Sequence, residues 1–126
     1  MKVLLIDDSK VIRAACESAL GRAGHEVITA ADGEHGLKLV HEAKPDLILL
    51  DMMLPKMSGL DVLQAIKNEP ALAAIPVIVF TSLSQKNESK LLKAGAAGYL
   101  EKTELLANNS GLIQAIEKIT KKAAAV

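Results

Sequence analysis

The sequence predicts an α/β domain, a three-layer α/β/α sandwich around a five-stranded parallel sheet. Two observations support this. Five short apolar runs alternate with segments of helical periodicity along the 126 residues. Each run is bounded by charged or turn-forming residues, as buried strands of a parallel sheet are. Strict alternation of strands and helices with short connections places helices on both faces of such a sheet.

Strands are predicted where aliphatic residues cluster, at 3–7, 26–30, 46–50, 76–80 and 97–101. Helices are predicted from Ser9 to Gly24, at 33–43, 58–68 and 84–94, and from about 110 onward. Ser9 is expected to cap the first helix, whose apolar stripe includes Val11, Ile12 and Cys16. The segment 84–94 is mostly polar, which predicts a helix of low local stability. We expect one domain over residues 1–122 and a frayed tail at 123–126.

Composition and charge exclude several classes of partner. Fifteen basic and fifteen acidic residues give no net charge, and no basic run favours nucleic acid or a membrane surface. A single cysteine, Cys16, cannot form an internal disulfide, and we expect it to be a small buried residue rather than a reactive thiol. No signal peptide or membrane span is recognised, which predicts a cytoplasmic protein.

Three acidic residues follow two of the predicted strands. Asp7 and Asp8 come directly after the apolar run of the first predicted strand, and Asp51 comes directly after that of the third. Alone, each could cap a helix or lie in a loop. Together they are expected to meet at the carboxyl edge of the sheet, where open α/β folds place their sites. Two carboxylates 4 Å apart repel by roughly 4 kcal/mol at an effective dielectric near 20, and a hard divalent cation such as Mg²⁺ would offset this repulsion.

Two further polar residues follow the other strands that end at this edge. Thr81 comes after the fourth strand and Lys102 after the fifth. Their ordinary roles would be a turn former and a solvated charge. Beside a metal-bound carboxylate, a hydroxyl and an ammonium group suit the oxygens of a phosphoryl group. Asp51 would then be a nucleophile that forms an acyl phosphate.

These residues and their order resemble the receiver domain of two-component response regulators along essentially the whole chain. The matching residues are, in chain order, Asp7-Asp8, Asp51 with Met52-Met53-Leu54-Pro55-Lys56-Met57-Ser58-Gly59, Thr81-Ser82, and Gly98-Tyr99-Leu100-Glu101-Lys102. The resemblance implies the flavodoxin-like strand order 2-1-3-4-5. It also implies a single-domain signalling switch like the chemotaxis regulators, not an enzyme that turns over a small substrate.

The resemblance implies a role for each matching residue. Asp51 would accept the phosphoryl group from a histidine kinase or a histidine phosphotransfer protein. Asp8 and Asp51 would bind Mg²⁺, or Mn²⁺, directly, with Asp7 acting through water and the backbone carbonyl of Met53 completing the protein ligands. The side chains of Thr81 and Lys102 would contact the oxygens of the phosphoryl group. Tyr99 would be an aromatic residue that switches rotamer, or simply a half-buried strand residue.

Phosphorylation would change how an output protein binds the face formed by the segment 84–94, the fifth strand and the last helix. The output protein stays open, as does the question of whether the domain acts alone or within a longer regulator. Gly59 is expected to occupy a tight backbone position at the start of the third helix.

The sequence departs from the family pattern most clearly after the active-site lysine, and two other functions compete. Thr103 stands where the family usually has a proline that follows the active-site lysine through a cis peptide bond. Because a cis bond before a residue other than proline is costly, we expect the loop at Lys102 to have a trans peptide bond or to be strained. One rival is a degenerate receiver that binds partners without phosphorylation. The other is a small phosphatase with an aspartyl nucleophile, of the haloacid-dehalogenase type. The adjacent pair Asp7-Asp8 disfavours the second rival, because such enzymes carry two acidic residues separated by one position.

Overall fold

The computed structural model describes residues 1–52, 54–81 and 93–101, and for residues 81 and 99–101 it describes the backbone only. Five strands are present in this part of the chain: β1 (Lys2–Ile6), β2 (Glu26–Ala30), β3 (Leu47–Asp51), β4 (Val77–Thr81) and β5 (Gly98–Glu101). Three helices connect the first four strands: α1 (Lys10–Arg22), α2 (Gly33–Ala43) and α3 (Gly59–Asn68).

All neighbouring strands pair in parallel, in the order β2-β1-β3-β4-β5. This order confirms both the α/β class and the arrangement that the family resemblance implied. Four strands begin one residue away from their predicted positions, because the ladder of hydrogen bonds does not follow the limits of an apolar run. The bounds of α2 agree with the prediction at both ends.

Alternation along the strands divides the core between the two faces of the sheet. The first cluster joins strand residues to α2 and α3: Leu4, Ile6, Ile48, Leu50, Val77 and Val79 with Val40, Val62, Leu63 and Ile66. The second joins the intervening strand residues to α1: Val3, Leu5, Leu47, Leu49, Ile78 and Phe80 with Ile12, Cys16 and Leu20. Helices therefore cover both faces, as strands with near-continuous apolar sequences require.

Side-chain hydrogen bonds cap the N-termini of helices α1 and α3. Ser9 Oγ accepts a hydrogen bond from Ile12 N, which confirms the predicted cap of α1. Helix α3 begins with a capping box in which Ser58 Oγ accepts from Asp61 N at 3.2 Å and the Asp61 carboxylate accepts from Ser58 N at 3.4 Å. After α1, Gly24 has a φ of 90°, a left-handed conformation that glycine adopts without strain.

The predicted apolar stripe of α1, which ran from Val11 to Ala23, was wrong at its two ends, because Ala23 at the C-cap is exposed and so is Val11. Ile12 and Cys16 are buried, but Val11 is 66% exposed. The side chains that face the sheet follow the spacing Ile12, Cys16 and Leu20, which leaves Val11 at the flank of the stripe in the first turn of the helix. A stripe read from periodicity alone was therefore too wide.

Cys16 lies in the core and is predicted to be unreactive. Burial, together with the negative charges of Asp7 and Glu17, raises the pKa of its thiol to about 12. Because the thiolate is the nucleophile, alkylation by iodoacetamide near pH 8.5, the usual pKa of a thiol, should be far slower in the folded protein than in urea. Mass spectrometry of the two reactions checks this, and equal rates would contradict it.

Several expectations fall outside the described residues. They concern most of the segment 84–94, the last helix, the tail at 123–126 and the loop that contains Thr103. Among the described helices, none is long and apolar enough to cross a lipid bilayer.

Candidate functional site

The three acidic residues singled out in the sequence lie together. Strands β1 and β3 are neighbours, and their register pairs Ile6 with Leu50. Asp7 and Asp51 are the next residue along each strand, so they meet at the carboxyl edge of the sheet. One carboxylate oxygen from each of Asp7, Asp8 and Asp51 lies within 4.8 Å of the other two. The predicted cluster is confirmed.

The strand alternation explains how deeply each carboxylate lies. Leu5 and Leu49 belong to the core on the α1 face, and Asp7 and Asp51 follow them by two residues, which is one full period of a strand. Both aspartates are 0% exposed. Asp8 comes one residue later than Asp7 and is exposed. The cluster thus has a buried side and one carboxylate that is open to solvent.

Hydrogen bonds from three directions fix the main chain and carboxylate of Asp7. Its backbone N donates to the carbonyl of Ala30, at the end of β2, over 3.0 Å. Its Oδ1 accepts from Ser9 N at 2.8 Å, and its carbonyl accepts from Arg13 Nη1 at 2.7 Å. The loop between β1 and α1 is therefore held by β2 and by α1 as well as by its own turn.

The chain after Asp51 packs closely against the start of α3. Met52 N donates to the carbonyl of Phe80 on β4, and Gly59 N donates to the carbonyl of Met52, both over 3.0 Å. A Cβ atom on Gly59 would lie 2.6 Å from Met52 Cα and closer still to the Asp51 carbonyl oxygen. The predicted tight position of Gly59 is confirmed, and it places the first turn of α3 directly against the backbone of the acidic residue.

The donor set fits a magnesium ion. Three carboxylates whose oxygens lie within 4.8 Å repel one another by about 3.5 kcal/mol per pair at an effective dielectric of 20. Mg²⁺ prefers oxygen ligands, is bound through one or two carboxylates, and keeps several of its waters. The exposed position of Asp8 leaves room for those waters. Mn²⁺ takes the same kinds of ligand.

The structure describes the remaining predicted site residues only in part. Thr81 is the last residue of β4 and Tyr99 lies in β5, where the register pairs Thr81 with Glu101. This places the backbone of Thr81 at the same edge of the sheet as the acidic cluster. Met53, Lys102 and the side chains of Thr81 and Tyr99 lie outside what the structure describes.

One residue near the site was missed from the sequence. Arg13 carries no motif, and the only signal that could have found it is its position one turn into α1, from which a long side chain reaches back toward the start of the helix.

The family model described as the response regulator receiver domain matches residues 3–117 of this chain. This chain belongs to that family. Receiver domains are the phosphoryl-accepting switches of two-component signalling, so the class of function expected from the sequence is confirmed.

Curated relatives of the receiver domain are longer regulators. The gliding motility regulatory protein of Myxococcus xanthus is 43% identical over 122 residues, which are 95% of this chain and 15% of that protein. The transcriptional regulatory protein AfsQ1 of Streptomyces coelicolor is 44% identical over 101 residues, which are 79% of this chain and 44% of that protein. The chain thus spans less than half the length of these relatives.

Solved structures of similar proteins share the fold over nearly the whole chain. The chemotaxis response regulator CheY4 of Vibrio cholerae is 31% identical with a TM-score of 0.86, and the match covers 94% of this chain and 97% of that one. The N-terminal domain of a response regulator receiver protein from Methanoculleus marisnigri is 34% identical with a TM-score of 0.74, and covers 93% and 94% of the two chains.

Proposed function

We propose that Asp51 is the phosphoryl acceptor of this receiver domain, and that a phosphohistidine of a histidine kinase or of a histidine phosphotransfer protein is the donor. The observation that carries the proposal is the position of Asp51 at the end of β3, within 4.8 Å of two further carboxylates. Domain limits of 1–122 are proposed with it, supported by the family match over residues 3–117.

The transfer exchanges one bond to phosphorus for another. A carboxylate oxygen of Asp51 attacks the phosphorus atom, a P–O bond forms, and the P–N bond to the donor imidazole breaks with its electron pair returning to the nitrogen. The product is an acyl phosphate. Since Asp51 is buried, the donor must approach from the side on which Asp8 is exposed.

Asp8 and Asp51 are proposed as direct Mg²⁺ ligands, with the Met53 carbonyl as a third and Asp7 acting through water. When bound, Mg²⁺ supplies positive charge that offsets the carboxylates and the phosphoryl oxygens. Hydrogen bonds to Ala30, Ser9 and Arg13 hold Asp7 in place for this role. Contacts to the phosphoryl oxygens are assigned to Thr81 Oγ and Lys102 Nζ.

The added phosphoryl charge would act as a switch. It would draw Thr81 toward Asp51 and change the environment of Tyr99, which lies on the strand paired with β4. A local charge change of this kind alters a protein only by biasing an element that has two states. We propose that the two-state element is the face that includes β5, the segment 84–94 and the last helix, and that an output protein binds this face.

This function differs from its two rivals in what it requires. A degenerate receiver would not need three carboxylates within 4.8 Å of one another, and a phosphatase would turn over small phosphate esters. We propose instead a switch that works in the cytoplasm on protein partners, with no direct contact to nucleic acid or membrane and no small-molecule turnover.

Acetyl phosphate can replace the phosphohistidine donor in a direct test. Incubation with acetyl phosphate and Mg²⁺ should add the mass of one phosphoryl group, as measured on the intact protein. The product should be lost in hydroxylamine, which cleaves acyl phosphates, and should not form in the presence of a chelator. A folded protein that takes up no label would favour the degenerate receiver, and steady hydrolysis of p-nitrophenyl phosphate would favour the phosphatase.

A further inference from the structure

Arg13 reaches back from α1 to the peptide bond that joins the two N-terminal aspartates of the cluster. It lies in the second turn of the helix and is half-buried. Its Nη1 donates to the Asp7 carbonyl over 2.7 Å, and its own backbone N donates to the carbonyl of Ser9 over 3.0 Å. Side chain and main chain of one residue thus hold both ends of the loop that follows β1.

The carbonyl that Arg13 binds controls where Asp8 lies. It belongs to the Asp7–Asp8 peptide, whose atoms are coplanar. Asp7 N is already fixed on Ala30 of β2, and Asp7 Oδ1 is fixed on Ser9 N. Once the Asp7 carbonyl is also held, the plane of the Asp7–Asp8 peptide cannot rotate. The direction of the N–Cα bond of Asp8 is then fixed as well.

We propose that Arg13 is a positioning residue for the metal site: it holds the Asp7–Asp8 peptide so that the carboxylate of exposed Asp8 meets those of Asp7 and Asp51. This inference rests on the proposed Mg²⁺-dependent function and adds a residue to it. A guanidinium suits the task because a charged donor forms a stronger hydrogen bond to a carbonyl than a neutral one does.

Positioning and simple electrostatics predict opposite results when Arg13 is replaced. Removing a positive charge near three carboxylates should strengthen the binding of a cation, since the cation then meets less repulsion. Releasing the Asp7–Asp8 peptide should weaken binding, because groups that orient the ligands of a metal typically change its affinity by about 10- to 100-fold when they are lost. The sign of the change therefore separates the two roles.

The test compares Mg²⁺ affinity in matched variants of helix α1. Arg13→Met removes the donor, and Arg13→Lys keeps the charge on a single donor nitrogen. Arg22→Met is the control, because Arg22 also donates to a backbone carbonyl, that of Ser18 at 3.2 Å, but near the other end of the same helix. Calorimetric titration with MgCl₂ gives the dissociation constants. Urea unfolding without Mg²⁺ shows whether each variant is folded.

We expect Arg13→Met to raise the Mg²⁺ dissociation constant about tenfold, Arg13→Lys to recover most of the affinity, and Arg22→Met to leave it unchanged. An unchanged or lower dissociation constant in folded Arg13→Met would overturn the inference while the proposed function stands. If Arg13→Met does not fold, Arg13→Ala takes its place, because it also removes the donor and the charge and alanine is the better helix former; a dissociation constant equal to or below that of the wild type would refute positioning. A wild-type protein that binds no Mg²⁺ would refute the proposed function together with the inference.

Discussion

Replacing Asp51 with asparagine is expected to abolish labelling of the protein by acetyl phosphate and Mg²⁺. The amide has nearly the shape of the carboxylate, so the buried position at the end of β3 can still be filled. It is not a nucleophile, however, and it removes one of the three negative charges of the cluster. Intact-protein mass spectrometry after incubation with acetyl phosphate measures the loss.

A matched control lies at the other end of the same strand. Asp46 precedes β3, and its carboxylate accepts a hydrogen bond from Lys2 N over 2.8 Å at the opposite edge of the sheet. Asp46→Asn should be labelled like the wild-type protein. Labelling of Asp51→Asn at another residue would remove Asp51 from its proposed role, because the chemistry would then not need it.

The same variant should also lose its response to magnesium in unfolding experiments. A ligand that binds only the folded state raises the free energy of unfolding by an amount that grows with its concentration over the dissociation constant. Added Mg²⁺ should therefore shift the urea midpoint of the wild-type protein and of Asp46→Asn, but shift that of Asp51→Asn much less. An equal shift in all three proteins would show that the ion binds elsewhere.

The α/β class could be predicted from the sequence because its local signals agree with one another, whereas the strand order came from the family resemblance. Runs such as Leu47–Leu50 are short, aliphatic and ended by an acid, Ser9 caps the first helix as predicted, and the third helix begins close to its predicted start. Such agreement between local preference and global pattern is typical of sequences that specify one structure. The error at Val11 arose because periodicity shows which residues are apolar, but not how much of the first turn the sheet covers.

The acidic cluster was predictable for a simpler reason. Residues that follow neighbouring parallel strands lie at one edge of the sheet, and the family resemblance implied that the first and third strands are neighbours, so the three aspartates were expected to meet. The contribution of Arg13 was not predictable, because a hydrogen bond to a backbone carbonyl six residues earlier leaves no trace in the pattern of residue types. The contrast in exposure between buried Asp7 and exposed Asp8 also required the structure, since it depends on how the chain leaves the last pleat of β1.

Replacing Gly59 with alanine is expected to damage both the fold and the site. The new Cβ would lie 2.6 Å from Met52 Cα and nearer to the Asp51 carbonyl oxygen. Both are backbone atoms that cannot rotate out of the way, and Met52 is held on Phe80 of β4 by a hydrogen bond of 3.0 Å. The first turn of α3 would have to move away from β3. Because overpacking costs 1–3 kcal/mol even where side chains can adjust, we expect a loss of about 3 kcal/mol or more in the free energy of unfolding.

Gly21 provides the control for this substitution. It lies in α1, and a Cβ added there would meet no atom within 4 Å. Gly21→Ala should raise the free energy of unfolding by about 0.5–1 kcal/mol, since alanine is the better helix former. Urea unfolding of the two variants and calorimetric titration with Mg²⁺ measure the effects. A Gly59→Ala variant as stable as the wild type would show that α3 does not press on the backbone at Asp51. A destabilised variant with lower Mg²⁺ affinity would indicate that this contact helps to hold Asp51 in the cluster.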